Sequence, residues 1–409
     1  MAMTLGSRIA RAGLGLCLLM WTGLPLSSTG FADELPETLW TSAGHLKVDV
    51  AVNGLNYPWS LVFLPSGEML VSEKHPGRLR LISENGKISP PIEGLPENIY
   101  AKGNGGLLGL ALDPDFHENK LVYFAFAEQA DDDPEKAALS VGRGKLGKDR
   151  LSDVEIIFRQ GPKINDDREF GGRLAFAPDG TLFVMTGDRY QHELVHDTGN
   201  TLGKLIRINR NGSVPEDNPF VGKTGYDPRI YSLGHRNIGG GIIHPETGKL
   251  WLEEFGPIGG DEINVIEPGK DYGWPVVNWG VHYFREDIPD PPTRPDLAQP
   301  IYFWNPSISP SGMTYYTGDE IPGWKGSLVV GGLASQSATR LTLQGERVIS
   351  DERMEFGVRI RDVAQGPEGA LYLLTDERAP DGRILRLTLE KPVAETKAAS
   401  TLKNAPPQP

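Results

Sequence analysis

Five short stretches of the chain set polar side chains beside glycines, the arrangement in which a folded backbone can present functional groups to a ligand. They are Asn104 before Gly-Gly-Leu-Leu-Gly, Arg168-Glu169 before Phe-Gly-Gly-Arg-Leu, Gly234-His-Arg236-Asn237, the run from Gly256 to Asn264, and Arg359-Ile-Arg361-Asp362. Arg359 and Arg361 alternate along a strand, so they face one side and repel each other unless an anion lies between them. A ligand with several carboxylates would satisfy both, and so would Asp362 or Asp376 acting as a tie between neighbouring elements. Arg236 and Asn237 offer planar donors after a glycine turn, suited to a carbonyl or a carboxylate, although the Asn could equally cap its own turn. Between Gly256 and Tyr272, Gly-Pro and Gly-Gly backbone exposes carbonyls next to the carboxylates of Asp261 and Glu262. Hard oxygen donors on irregular backbone are calcium chemistry, with turn capping as the structural alternative. His192, His196 and His235 lack partners at helical or hairpin spacing for a zinc site. The sequence contains no Gly-rich phosphate loop, no Gly-x-Ser-x-Gly elbow and no dinucleotide fingerprint, which argues against a nucleotide-dependent enzyme.

The elements that must position these groups are strands. One phrase, an apolar run, a Pro/Gly turn and a second apolar run, recurs along the chain, as in Leu61-Val-Phe-Leu-Pro-Ser-Gly-Glu-Met-Leu-Val and Leu174-Ala-Phe-Ala-Pro-Asp-Gly-Thr-Leu-Phe-Val. Each copy reads as a hairpin, because Pro presets one φ and Gly supplies the positive one. The copies begin at Leu61, Leu110, Leu174, Ile242, Met313 and Val363. Their spacing, about 60 residues on average, is that of a four-stranded blade plus loops. The sequence therefore predicts an all-β protein, a six-bladed β-propeller spanning residues 33–390, in which adjacent blades supply each other's core. Ligands of such a fold sit where loops from several blades converge at one end of the channel, so functional residues should be scattered along the chain.

Composition agrees. Of 409 residues, 50 are Gly and 33 are Pro, which disfavours a helical protein, and 39% hydrophobic content is enough for a large core. A formal charge of −13 excludes a long-range attraction to nucleic acid or an anionic membrane. Residues 1–32 read as a secretory signal, with Arg8 and Arg11 before an apolar stretch and Gly30-Phe31-Ala32 at the expected cleavage point. Cys17, the only cysteine, lies within that segment, so the exported chain would be free of disulfides, as suits a bacterial periplasm. No later stretch has the apolar length of a membrane span. The segment 391–409, rich in Ala, Lys, Thr and Pro, reads as a disordered tail.

Taken jointly, Gly-Gly-Leu-Leu-Gly (105–109), Gly-Gly-Arg-Leu (171–174), Gly-Lys-Leu-Ile-Arg-Ile (203–208), Gly-His-Arg-Asn (234–237), Gly-Gly-Asp-Glu-Ile-Asn (259–264), Tyr-Gly-Trp-Pro (272–275) and Arg-Ile-Arg-Asp-Val (359–363) closely resemble the soluble aldose sugar dehydrogenases. That glucose/sorbosone dehydrogenase group uses pyrroloquinoline quinone (PQQ) and Ca2+ on a periplasmic six-bladed propeller, and the likeness runs in order from about residue 45 to 388. The resemblance implies that Arg236 and Asn237 contact the quinone and that Arg359 and Arg361 hold its carboxylates. It also implies that the carbonyls of Gly256 and Pro257 bind the calcium beneath it, and that Glu262 and Tyr272 serve a further, structural calcium. Asn104 stands where the group has a cofactor-side Gln, and Glu169 where it has its catalytic His. A Lys common near the cofactor aligns with Ala334, and the His and Arg that usually flank Gly-Pro are Phe255 and Ile258. The activity implied is oxidation of an aldose or related alcohol to its lactone, with hydride transfer to the quinone, Glu169 as base, and an electron acceptor that the sequence does not name. Replacement of the His keeps two alternatives open. One is a calcium-dependent lactonase-type hydrolase with Glu169, Asn104 and Asn237 around a channel calcium; the other is a propeller that binds ligand without turnover.

Overall fold

In a computed structural model the described residues are 35–281 and 293–390, and within them strands predominate. The proposed leader, the tail from 391 and part of the Pro-rich insertion after Tyr283 lie outside them. Among the described residues the strands form six antiparallel sheets whose inner strands are Pro58–Phe63, Leu107–Leu112, Gly171–Phe176, Ile238–Ile243, Pro310–Tyr316 and Ile360–Gln365. These six neighbour one another in a closed ring, and each contains one of the six repeat starts read from the sequence. The all-β propeller expectation therefore holds.

The uniform four-stranded blade does not. The first blade has three strands and the last has five, because Gly44–Leu55 from the chain's beginning pairs with Gly382–Leu389 from its end, Val48 opposite Leu387. Closing the ring with the first and last segments of the chain ties a circular array that would otherwise part at one interface. Apolar side chains fill the gaps between blades. Among the described residues there are six clusters, one per interface; Phe183, Met185, Ile238 and Leu252, for example, lie between the third and fourth blades. Trimming a fully buried Leu such as Leu252 to Ala should cost about 2–5 kcal/mol, since neither sheet can close the gap alone.

Every inner strand is irregular at its beginning. Register shifts occur at Pro58/Ser60, Leu107/Leu110, Gly171/Leu174, Ile238/Gly240, Pro310/Met313 and Ile360/Asp362. A bulge re-aims the side chains beside it, so six bulges around one end of the channel turn a ring of strand ends into a concave site. The Pro/Gly hairpin turns that made the repeat visible lie at the opposite end of the same strands.

Candidate active site

The bulged strand ends enclose a cavity of ≈ 400 Å³. Its lining comes from two structural sources. One is the stretch at or just before the start of five of the six inner strands, which contributes Trp59, Glu169, Arg236, Asn237, Ser311 and Arg361. The other is the stretch just past the second strand of a blade, which contributes Lys74, Phe255 and Leu333 one residue beyond the strand and Tyr190 four residues beyond it. Antiparallel pairing brings these two ends to one rim. Arg173 closes the floor: its guanidinium stacks 4.1 Å over the Trp59 ring, pairs with Asp362 at 2.8 Å and donates to the carbonyls of Gly239 and Arg361.

On the wall formed by the third and fourth blades, the Glu169 carboxylate pairs with the Arg236 guanidinium, and the same guanidinium donates to the Gly256 carbonyl at 3.0 Å. Glu169 is held at φ +52°, a left-handed conformation that an extended side chain rarely adopts, beside Arg189 and Tyr190 at +53° and +61°. Two features over-determine that geometry. A Cβ on Gly187 would lie 1.9 Å from the Glu169 carbonyl oxygen, so only glycine permits the approach. The fully buried Arg189 stacks 3.5 Å over the Phe170 ring and donates to the carbonyls of Arg168, Ala137 and Asp166, clamping the loop that carries Glu169.

Burial pushes the Glu169 carboxyl well above the usual carboxylate range; Arg236 pulls it down, while the charge of the neighbouring Asp188 and a hydrogen bond to it push it up. The lowering pulls of Arg236 and Arg168 are thus overcome, and Arg168 is turned to Asp166 and the Tyr190 ring. Burial alone would also raise Asp188, but contacts from His192, Glu169, Arg236 and Trp274 outweigh it and hold Asp188 low. Trp274 Nε1 donates to Asp188 Oδ2 at 2.9 Å, and His192 Nδ1 lies 3.7 Å from the same oxygen. Glu169 Oε2 is buried with no donor. Two carboxylates are both acceptors, so a proton between Glu169 and Asp188 is what makes their contact favourable.

The opposite wall, from the sixth and first blades, is cationic. Arg359 and Arg361 share Asp376, at 3.1 and 3.0 Å, and Lys74 lies with them. Burial would raise Asp376, but Arg361, Lys74 and Arg359 hold it well below the usual carboxylate range. The tie between the two arginines is therefore Asp376 and not Asp362, which belongs to Arg173; both guanidinium groups still line the cavity.

Asn104 stands exposed at the cavity rim. Asn237 lines the cavity, and its Oδ1 accepts from the N–H of Gly171 on the neighbouring blade at 2.9 Å, a tie between two blades and not a cap on its own turn. Gly256 and Pro257 are buried behind Phe255. Asp261 caps turns instead of facing a cation: Oδ1 accepts from the Gly256 N–H, and Oδ2 from Ser307, Ile308 and Ser309. Glu262 and Tyr272 do not line the cavity. They stand at two ends of one buried network in which Tyr272 stacks on His235, His235 meets Glu254, and Asn264 donates to both Glu254 and Glu262. The Tyr272 hydroxyl donates to the Val265 carbonyl and accepts from the Glu267 N–H. Among the described residues no cluster of three or more His, Cys, Asp or Glu is arranged to hold a metal ion. Lys74 and Asp188 escaped the sequence reading because attention went to glycine turns before inner strands. Looking three or four positions past each second apolar run would have found both.

The glucose/sorbosone dehydrogenase family model matches residues 55–386, nearly the whole propeller. The chain belongs to that family. The match places this family member among the oxidoreductases, and its relatives agree. It is 37% identical over 360 residues to the aldose sugar dehydrogenase of Escherichia coli strain K12, covering 87% of this chain and 96% of that one. Among solved structures, a glucose dehydrogenase crystal structure superposes with a TM-score of 0.81 at 42% identity, covering 84% of this chain and all of the other. The PQQ-bound form of an aldose sugar dehydrogenase from Streptomyces coelicolor superposes at 0.71 with 28% identity, covering 87% and 100%.

Proposed function

We propose that this family member is a periplasmic, PQQ- and calcium-dependent dehydrogenase that oxidises an aldose to its lactone, with Glu169 as the base. The observation that carries the reading is the division of one cavity into a cationic wall and a carboxyl wall. PQQ is a flat quinone bearing three carboxylates, and a cavity with Lys74, Arg359 and Arg361 on one side and Trp59 at its floor matches that shape and charge. When bound, PQQ would accept the hydride from the sugar's anomeric carbon, and Ca2+ would polarise the accepting carbonyl as a Lewis acid. For calcium, the hard oxygen on the carboxyl wall is the Gly256 carbonyl, which already accepts from a donor, the Arg236 guanidinium. A cation bound there would compete with Arg236 for that carbonyl.

The chain's own residues supply the proton chemistry. Oxidation removes one hydrogen from the anomeric carbon as hydride and one from its hydroxyl as a proton, leaving the lactone carbonyl. Glu169 faces the cavity and takes that proton. A carboxylate with an ordinary pKa would be a weak base at neutral pH, and burial beside Asp188 raises Glu169 towards the range in which proton abstraction is favourable. Arg236 keeps the carboxylate oriented, and the Gly187 contact fixes its backbone. Export is supported by the pattern of residues 1–32, and no helix among the described residues is long and apolar enough to cross a membrane.

The test is calorimetric titration of the full chain with PQQ in the presence of calcium, followed by dye reduction with a panel of aldoses. Binding with turnover is expected. Absence of PQQ binding would overturn the reading, and binding without turnover for every sugar would leave a ligand-binding propeller.

A further inference from the structure

Lys74 is the one cavity-lining cation on the cationic wall that no carboxylate holds. Its side chain leaves the end of the strand Met69–Glu73 and is 7% exposed, yet among the described residues no acceptor lies within hydrogen-bond or ion-pair distance of Nζ. The Tyr57 ring lies 5.3 Å from Nζ. Arg359 and Arg361, by contrast, share Asp376. The charged groups that face Lys74 are Arg361, Asp376 and Arg359, with His75 next in the chain. That is two fixed cations against one carboxylate, in a cleft partly removed from water. An ammonium kept out of water without a partner is unfavourable, and an arriving anion relieves it.

We propose that Lys74 is the third cation of a cradle, with Arg359 and Arg361, that binds a polycarboxylate, and that its ammonium takes a carboxylate that the arginines do not. The identity of that polycarboxylate as PQQ rests on the function proposed above; the cradle itself rests on the geometry. The cradle has a thermodynamic signature. Burial first, and then Arg361, lower the Lys74 pKa to about 8 in the free protein. A carboxylate beside Nζ raises it again, so binding at pH 8 draws in about half a proton, whereas at pH 6 Lys74 is already charged and draws in none.

The experiment is PQQ titration, with calcium present, by calorimetry in two buffers of different ionisation enthalpy at pH 6 and pH 8. The wild type is compared with Lys74→Met and Lys74→Arg, each checked for an unchanged melting temperature. The wild type should take up about half a proton at pH 8 beyond its uptake at pH 6. Lys74→Arg should keep affinity within a few-fold and lose that uptake, because arginine does not titrate there. Lys74→Met should lose the uptake and bind about 10- to 100-fold more weakly. Equal affinity in Lys74→Met, or the same uptake in Lys74→Arg, would overturn the cradle. Citrate is the second probe and separates the two readings. If PQQ does not bind but citrate shows the Lys74-dependent uptake, the quinone function falls and the cradle stands; if neither ligand shows it, the cradle falls.

Discussion

The two walls of the cavity solve opposite electrostatic problems with similar residues. On the wall of the sixth and first blades, three cations surround Asp376, which is driven well below its ordinary pKa and stays charged. On the wall of the third and fourth blades, one guanidinium meets two carboxyls, Glu169 and Asp188, and the balance leaves Glu169 well above its ordinary pKa. Burial acts in the same direction on both acids. What differs is the neighbouring charge, several cations around Asp376 against a second carboxyl beside Glu169, and that makes one wall a place for anions and the other a place that exchanges a proton.

The comparison breaks most visibly at Glu169. Glu169→Gln should lower kcat by about 10²–10⁴ in dye reduction, the usual contribution of a positioned base, while PQQ affinity by calorimetry does not weaken. A parallel loss of affinity would mean that the two walls do not divide the labour. Arg361→Ala attacks the other wall. Truncating a nearly buried guanidinium that shares Asp376 should weaken PQQ binding by about 3 kcal/mol, close to a hundredfold in Kd.

Asp188→Asn sharpens the comparison through pH. Glu169 must be deprotonated to act, so kcat rises as pH climbs through its pKa. Removing the Asp188 charge takes away one of the influences that raise that pKa, and the acid limb of the kcat profile should move to lower pH. A limb that stays in place would show that burial alone sets it. The smallest effect is expected behind the carboxyl wall, at Glu253, which is fully buried and pushed up to about 8. A carboxyl whose folded pKa lies above its unfolded value of about 4.3 adds stability that is complete below the unfolded pKa and is lost as pH rises towards the folded one. The melting temperature of the wild type should therefore fall between pH 5 and pH 8, and that of Glu253→Gln should fall by about 2 °C less.

Much of this was legible before any coordinates. The six repeat starts are all in inner strands, since a period of apolar run and Pro/Gly turn is a local property of the chain. Glu169, Asn104, Arg236, Asn237, Arg359 and Arg361 all reached the cavity, because glycine-flanked polar residues mark the bulged strand ends. Other placements were not legible. Asp261 is a cap, Glu262 and Tyr272 lie in a buried network away from the cavity, Lys74 entered the cavity unforeseen, and Asp188 is buried beside Glu169. These depend on which side chains from different blades meet, and no local pattern records that.

The sequence by itself determined the number of blades, the position of each inner strand and the family, since all three are written in short motifs repeated in order. The tertiary structure decided the protonation of Glu169, the partner of the paired arginines and the isolation of Lys74. Each of these depends on burial and on charges brought together across dozens to hundreds of residues, and electrostatic energy is fixed by distance in space, not by separation along the chain.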